Sequence, residues 1–173
     1  MGLDNLSKGI ACKDEKSFEL LYNKMYKLVY LVCLGVVKNE ASAQDLAQET
    51  FITVWNKSSE FKGGSYKAWI LTIAKNKSLN YIKRSSRVIP VGQDYELDAI
   101  CGHAQGSLEE SVILKIVLQE LDDMDAQIVL LKLSGMKMKE IAELFGIPRG
   151  TASWRYSEAL KKLKKILTKG EGK

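Results

Sequence analysis

Lys139 to Arg155 reads KEIAELFGIPRGTASWR, with the spacing of two short helices joined by a tight turn. Gly146 follows four residues after Ala142, Ile147 anchors the turn, and Ala152 lies six residues beyond the glycine. A helix-turn-helix needs small residues where its helices approach and a glycine where the backbone turns at positive φ. The second helix would then carry Arg149, Ser153, Trp154 and Ser157 outward, where its first turns reach base edges in a major groove. Two packed helices of a bundle can show the same spacing. The basic run Lys161, Lys162, Lys164 and Lys165 shifts the balance toward DNA.

A second stretch carries a different mixture. A helix is expected from about Tyr66 to Ser85, after the Gly63–Gly64 turn, with Ile70, Ile73, Ala74 and Tyr81 as its core stripe. Away from that stripe, Trp69, Thr72, Asn76, Asn80, Lys83 and Arg87 fall along one narrow line. Rings stack on bases, amides read base edges and cations hold phosphates, so the line suits a single-stranded nucleic acid. Trp69 packing on the preceding helix is the plainer alternative. That preceding helix has its own anomaly: Asp45, Gln48, Glu49, Ile52 and Asn56 share its polar face. An apolar Ile52 among acidic neighbours suits a protein partner with a basic rim, although single exposed isoleucines are common.

The elements that must position these residues are helical nearly throughout. Phe18, Leu21, Tyr22, Met25, Leu28, Val29 and Val32 step at three and four, as do Ala43, Leu46, Ala47, Thr50, Phe51, Val54 and Trp55 after a capping-box-like Ser42 and Asp45. Pro90, Gly92, Gly102 and Gly106 break the pattern, so residues 89–107 are expected to be a linker. Helices resume over Leu108–Leu121. A second is capped by Asp125, turns Ala126, Val129, Leu130 and Leu133 inward and stops at Gly135. A third spans Met136–Phe145, and a fourth has Pro148 in its first turn and runs to about Leu167. The expected fold is all-α, with two small helical domains (1–88 and 108–173) joined by a flexible acidic linker.

Composition bounds the function. The 173 residues are 46% hydrophobic and 27% charged, with a net charge of +5, as in a soluble folded protein. Phe61–Val88 holds seven basic residues and no acidic one, and Arg149–Lys173 holds eight against Glu158 and Glu171. Asp94, Glu96, Asp98, Glu109 and Glu110 separate them. Two basic blocks around an acidic strip suggest two surfaces for one polyanion. Cys12, Cys33 and Cys101 form no Cys-x-x-Cys pair, and His103 is the lone histidine, which argues against a disulfide scaffold or a zinc site. There is no Gly-rich phosphate loop and no nucleophile elbow. No enzyme activity, cofactor or metal is expected. Met1–Lys16 lacks a signal-peptide core, and the longest apolar run, Leu28–Val37, is about half a membrane span. A cytoplasmic protein without membrane insertion is expected.

At these residues the chain resembles the extracytoplasmic-function sigma factors, initiation subunits of bacterial RNA polymerase. DLAQETFITVWNK (Asp45–Lys57) and SYKAWILTIAKNKSLNYIKR (Ser65–Arg84) are similar to conserved region two, and LKLSGMKMKEIAELFGIPRGTASWRYSEALKKLKKIL (Leu131–Leu167) to region four. The resemblance implies that Asp45, Gln48 and Glu49 bind the clamp helices of core polymerase, and Ile52 and Asn56 on the same face are expected to join them. It further implies that Asn76, Asn80 and the Phe61–Ser65 loop capture the melted minus-ten element, with Trp69, Lys83, Arg84 and Arg87 expected beside them. Gly150, Thr151, Ser153, Trp154 and Ser157 match positions that read the minus-thirty-five element, and Arg149 and Arg155 are expected to contact it as well. The implied partners are core RNA polymerase, promoter DNA and an anti-sigma factor, with the linker directed toward the active-site channel. Three departures stand out: Leu121-Asp122-Asp123-Met124 replaces a Leu-Pro opening, Trp154 replaces a small polar residue, and Glu158 replaces a basic one. The alternative is a helix-turn-helix regulator that binds duplex DNA without polymerase.

Overall fold

The helical periodicity becomes seven α-helices among the residues that the computed structural model describes, 2–88, 117 and 119–170. An amino-terminal group comprises α1 (Leu3–Ala11), α2 (Glu15–Val37), α3 (Glu40–Lys57), a 3₁₀ turn (Ser58–Glu60) and α4 (Tyr66–Val88). A carboxy-terminal group comprises α5 (Asp123–Leu133), α6 (Met138–Phe145) and α7 (Arg149–Gly170). The expected linker, with Cys101 and His103, and most of the expected helix 108–121 lie outside the described residues.

α2 is the axis of the first group. Asp14 caps it by accepting the Ser17 N–H at 3.0 Å, and Leu21, Met25, Val29 and Val32 are fully buried against α3 and α4. Phe18 meets Trp55 edge-on at 5.0 Å, and Tyr22 meets Phe51 at 4.7 Å. Each such buried side chain contributes about 1.5–3 kcal/mol relative to exposure. By length and composition α2 is also apolar enough to cross a membrane, but 56% of its apolar window is buried inside the fold. Its apolar surface is therefore used as core. α1, which the expected helices do not include, adds Leu6 and Ile10, spaced at a helical step of four, to that core. Burial pushes the Cys33 thiol up to about 11, against weaker opposing pulls from Ser78 and Lys77, so it packs as an inert small hydrophobe.

Several local expectations are corrected. The N-cap of α3 is Asn39, which accepts the Ser42 N–H at 2.9 Å; Ser42 and Asp45 already lie inside the helix. The N-cap of α5 is Asp122, which accepts from Asp125 N–H at 2.9 Å, while Asp125 itself is buried. Tyr81 and Leu133, expected in the core, are exposed. Tyr81 instead exchanges a 2.9 Å hydrogen bond with Ser42 across α4 and α3. Pro148 stands just before α7, which begins at Arg149.

The two groups share one continuous hydrophobic core, and polar pairs add to the contact between them. α2 packs on α5 and α4 on α6. Gly35 permits the closest approach, because a Cβ there would lie 2.4 Å from Gln127 Cγ. Lys38 pairs with Asp123 at 2.9 Å and Lys67 with Glu140 at 3.1 Å. Lys75 Nζ donates to the Leu144 carbonyl at 2.7 Å and lies 5.6 Å from the Phe145 ring centre. Burial tends to raise the Glu140 carboxyl, but the Lys137 N–H and Lys67 outweigh it and hold it below the usual range.

Candidate functional site

Three exposed surfaces carry the residues singled out by the sequence. The first is the outer face of α3. Asp45, Gln48, Glu49, Ile52 and Asn56 are all exposed, Ile52 at 60%. Leu46, Ala47, Thr50, Phe51 and Val54 turn inward, which fixes the rotation of the helix and leaves Ile52 in water. Glu49 also pairs with Lys77 at 3.1 Å and so ties α3 to α4.

The second surface is the outer face of α4 with the loop before it. Ser65 accepts from the Ala68 N–H at 3.3 Å and starts the helix. Gly63 and Gly64 take φ values of 104° and 91°, with open space where a Cβ would stand, so backbone conformation alone calls for glycine here. Ile70, Leu71, Ala74 and Ser78 face the core, and Thr72, Asn76, Asn80, Lys83 and Arg84 face solvent. The Arg87 side chain lies outside the described residues. Thr72 spends its hydroxyl on the Ala68 carbonyl at 2.8 Å.

Trp69 is half-buried within a cluster of rings. It stacks on Tyr66 at 5.4 Å and meets Phe61 at 5.6 Å, and Phe61 packs on Tyr66 at 4.9 Å. Tyr66 is fully buried, and burial pushes its hydroxyl up to about 12. The three rings anchor the loop to α4 and leave Phe61 and Trp69 partly open at the end of the amide stripe.

The third surface is the helix-turn-helix α6–α7. Gly146 turns at φ 65°, and the Ile147 N–H returns to the Ala142 carbonyl at 3.0 Å. Ala142 and Ala152 are buried where the helices cross. Arg149, Gly150, Thr151, Trp154 and Ser157 are exposed, and Ser153 is half-buried.

Arg155 differs from its neighbours. Its Nε donates to Asp125 Oδ1 at 2.7 Å, and its terminal nitrogen lies 3.0 Å from both Asp122 carboxylate oxygens. The guanidinium thus faces α5 rather than the open face of α7. Burial works to raise the Asp122 carboxyl, but the Asp125 N–H and Arg155 outweigh it and hold it low. Asp125 is held high, first by burial and then by the adjacent Asp122 charge, with Arg155 opposing both. Removing Arg155 leaves two carboxylates together, one with 9% of its side chain exposed. Arg155→Ala is expected to cost about 1–3 kcal/mol at neutral pH. An ionised Asp125 is what makes the loss large, so the loss shrinks in acid, and Asp125→Asn in the same chain restores most of it. Thermal melts at pH 7 and pH 4 check this; an unchanged melting temperature at pH 7 would show that the triad is dispensable. No local pattern announces this contact, whose partners stand 30 and 33 residues apart.

Comparison with known proteins places these surfaces in context. Residues 21–88 match the family model of Sigma-70 region 2, and residues 113–163 that of Sigma-70 region 4. The chain is 24% identical to the ECF RNA polymerase sigma factor SigK of Mycobacterium tuberculosis H37Rv, across 95% of this chain and 93% of that protein. It is 25% identical to SigE of Mycolicibacterium smegmatis across 88% of its own length, and there spans only 62% of the relative. SigX of Bacillus subtilis is 31% identical over 75 residues, 43% of this chain and 39% of that protein. In fold, the chain is similar to Bartonella quintana RpoE, solved with the anti-sigma factor NepR (TM-score 0.69, 24% identity, 88% of this chain and 98% of that one). It is also similar to CnrH, solved with the cytosolic domain of CnrY (TM-score 0.68, 19% identity, 94% and 95%).

Proposed function

Because the chain belongs to the extracytoplasmic-function sigma factors of the sigma-70 family, we propose that it directs bacterial core RNA polymerase to promoters and helps to open them by binding alone. The reading rests on one observation: the two family models fall, in order, on the two helical groups. Residues 1–88 bind core polymerase through the α3 face and hold the opened minus-ten strand through the α4 stripe. Residues 108–173 read the minus-thirty-five duplex through α7, and residues 89–107 connect them. The first group prefers single strands to duplex, and that differential affinity shifts the promoter toward opening without covalent chemistry. An anti-sigma factor is a further partner, as it is for the RpoE neighbour, and the site of action is the cytoplasm.

A duplex-binding regulator would need neither the exposed Ile52 face nor the asparagine stripe. Run-off transcription with purified core polymerase separates the two. The protein is expected to yield discrete promoter-dependent transcripts that core enzyme alone does not make. A protein that binds promoter duplex but adds no transcript would support the regulator instead.

A further inference from the structure

The recognition face of α7 contains two side chains of unusual type for contact with a polyanion. Trp154 is 62% exposed. Glu158, one turn later, is half-buried and accepts from Lys161 Nζ at 2.7 Å. Their neighbours are less available to bases. Arg155 is held by Asp122 and Asp125, and the Ser157 hydroxyl donates to the Ser153 carbonyl at 3.0 Å. Beyond the first turn of α7, Trp154 and Glu158 therefore dominate what this face presents.

We propose that Trp154 and Glu158 set the base preference of this protein at the minus-thirty-five duplex, with Glu158 selecting a cytosine and Trp154 a thymine within two base pairs of it. The inference rests on the assignment of α7 to that element. In the major groove cytosine alone offers an N4 donor without an adjacent acceptor on the same base, and a carboxylate accepts from it. Thymine offers its methyl group, which an apolar ring covers. Four residues of helix advance about 6 Å, about two base-pair steps of ~3.4 Å, so the two side chains address base pairs within two steps of each other. A bare carboxylate here would repel phosphate. Lys161 offsets its charge, and the exposed Lys162, Lys164 and Lys165 keep the flank of α7 attractive to the backbone.

The test is selection from promoters randomised across the minus-thirty-five segment, using holoenzyme assembled from core polymerase and the full chain. Wild type is expected to enrich cytosine at one position and thymine within two base pairs of it, each by roughly tenfold. Glu158→Arg is expected to switch the cytosine position to guanine, because an arginine pairs with guanine O6 and N7. Trp154→Ala is expected to remove the thymine preference alone. Glu158→Gln, which changes shape least, is expected to lose cytosine and gain adenine even if the arginine variant folds poorly. Base preferences that survive both Glu158 variants unchanged would overturn this inference and leave the function intact. A transcribing wild-type holoenzyme with no preference anywhere in the segment would overturn the α7 assignment itself, and this inference with it.

Discussion

Ile52→Lys and Asp45→Arg are each expected to abolish co-purification with core RNA polymerase. Ile52 is an apolar side chain at 60% exposure, set among Asp45, Gln48, Glu49 and Asn56. A central apolar anchor in an acidic rim suits a partner with basic edges, and loss of such an anchor costs about 2 kcal/mol or more, ~30-fold in affinity. A new positive charge adds repulsion to that loss. Neither residue supports the fold, so stability is expected to move by no more than about 0.5 kcal/mol. Glu49 is a poorer choice for this experiment, because its pair with Lys77 joins α3 to α4. Circular dichroism and gel filtration establish that the variants remain helical and monodisperse. A folded Ile52→Lys protein that binds core enzyme as tightly as wild type would remove this face from the interface.

Asn80→Ala is expected to cut open-complex formation on a fully paired promoter by roughly tenfold, while closed-complex binding stays unchanged. Asn80 is exposed on the α4 stripe beyond the Phe61–Tyr66–Trp69 rings, with Asn76 one turn before it. An amide there makes its hydrogen bonds to a base only after the strand opens. Loss of such a contact is worth on the order of 1–3 kcal/mol. Mismatched bases across the minus-ten segment meet the opening cost in advance, so they are expected to restore much of the activity. Thr72 shares the stripe but already donates to Ala68, so Thr72→Ala serves as a near-neutral control. Transcription from matched and bubble templates reads both effects. Equal activity of wild type and Asn80→Ala on the paired template would exclude Asn80 from strand capture.

The sequence by itself determined the helices, because apolar residues at three- and four-residue steps have only one way to share a face. It also determined which side chains point outward. Once Leu46, Ala47, Phe51 and Val54 turn inward, Asp45, Gln48 and Ile52 must face solvent, and the same logic exposes Asn76 and Asn80. The Gly146 turn is legible for a local reason: positive φ favours glycine. Periodicity carries no information on what one surface meets in another. It assigns Tyr81 and Leu133 to the core, where the neighbouring helices do not reach them. It leaves Trp69 between base stacking and packing on α3, and it does not show that the ring lies on Tyr66 and Phe61. Arg155 is expected among the minus-thirty-five contacts, although Asp122 and Asp125 hold it against α5. The seam of Lys67 with Glu140 and Lys75 with the Leu144 carbonyl joins residues 73 and 69 positions apart. Such pairs depend on how the two helical groups pack together, so tertiary structure alone decides which cations remain open to DNA.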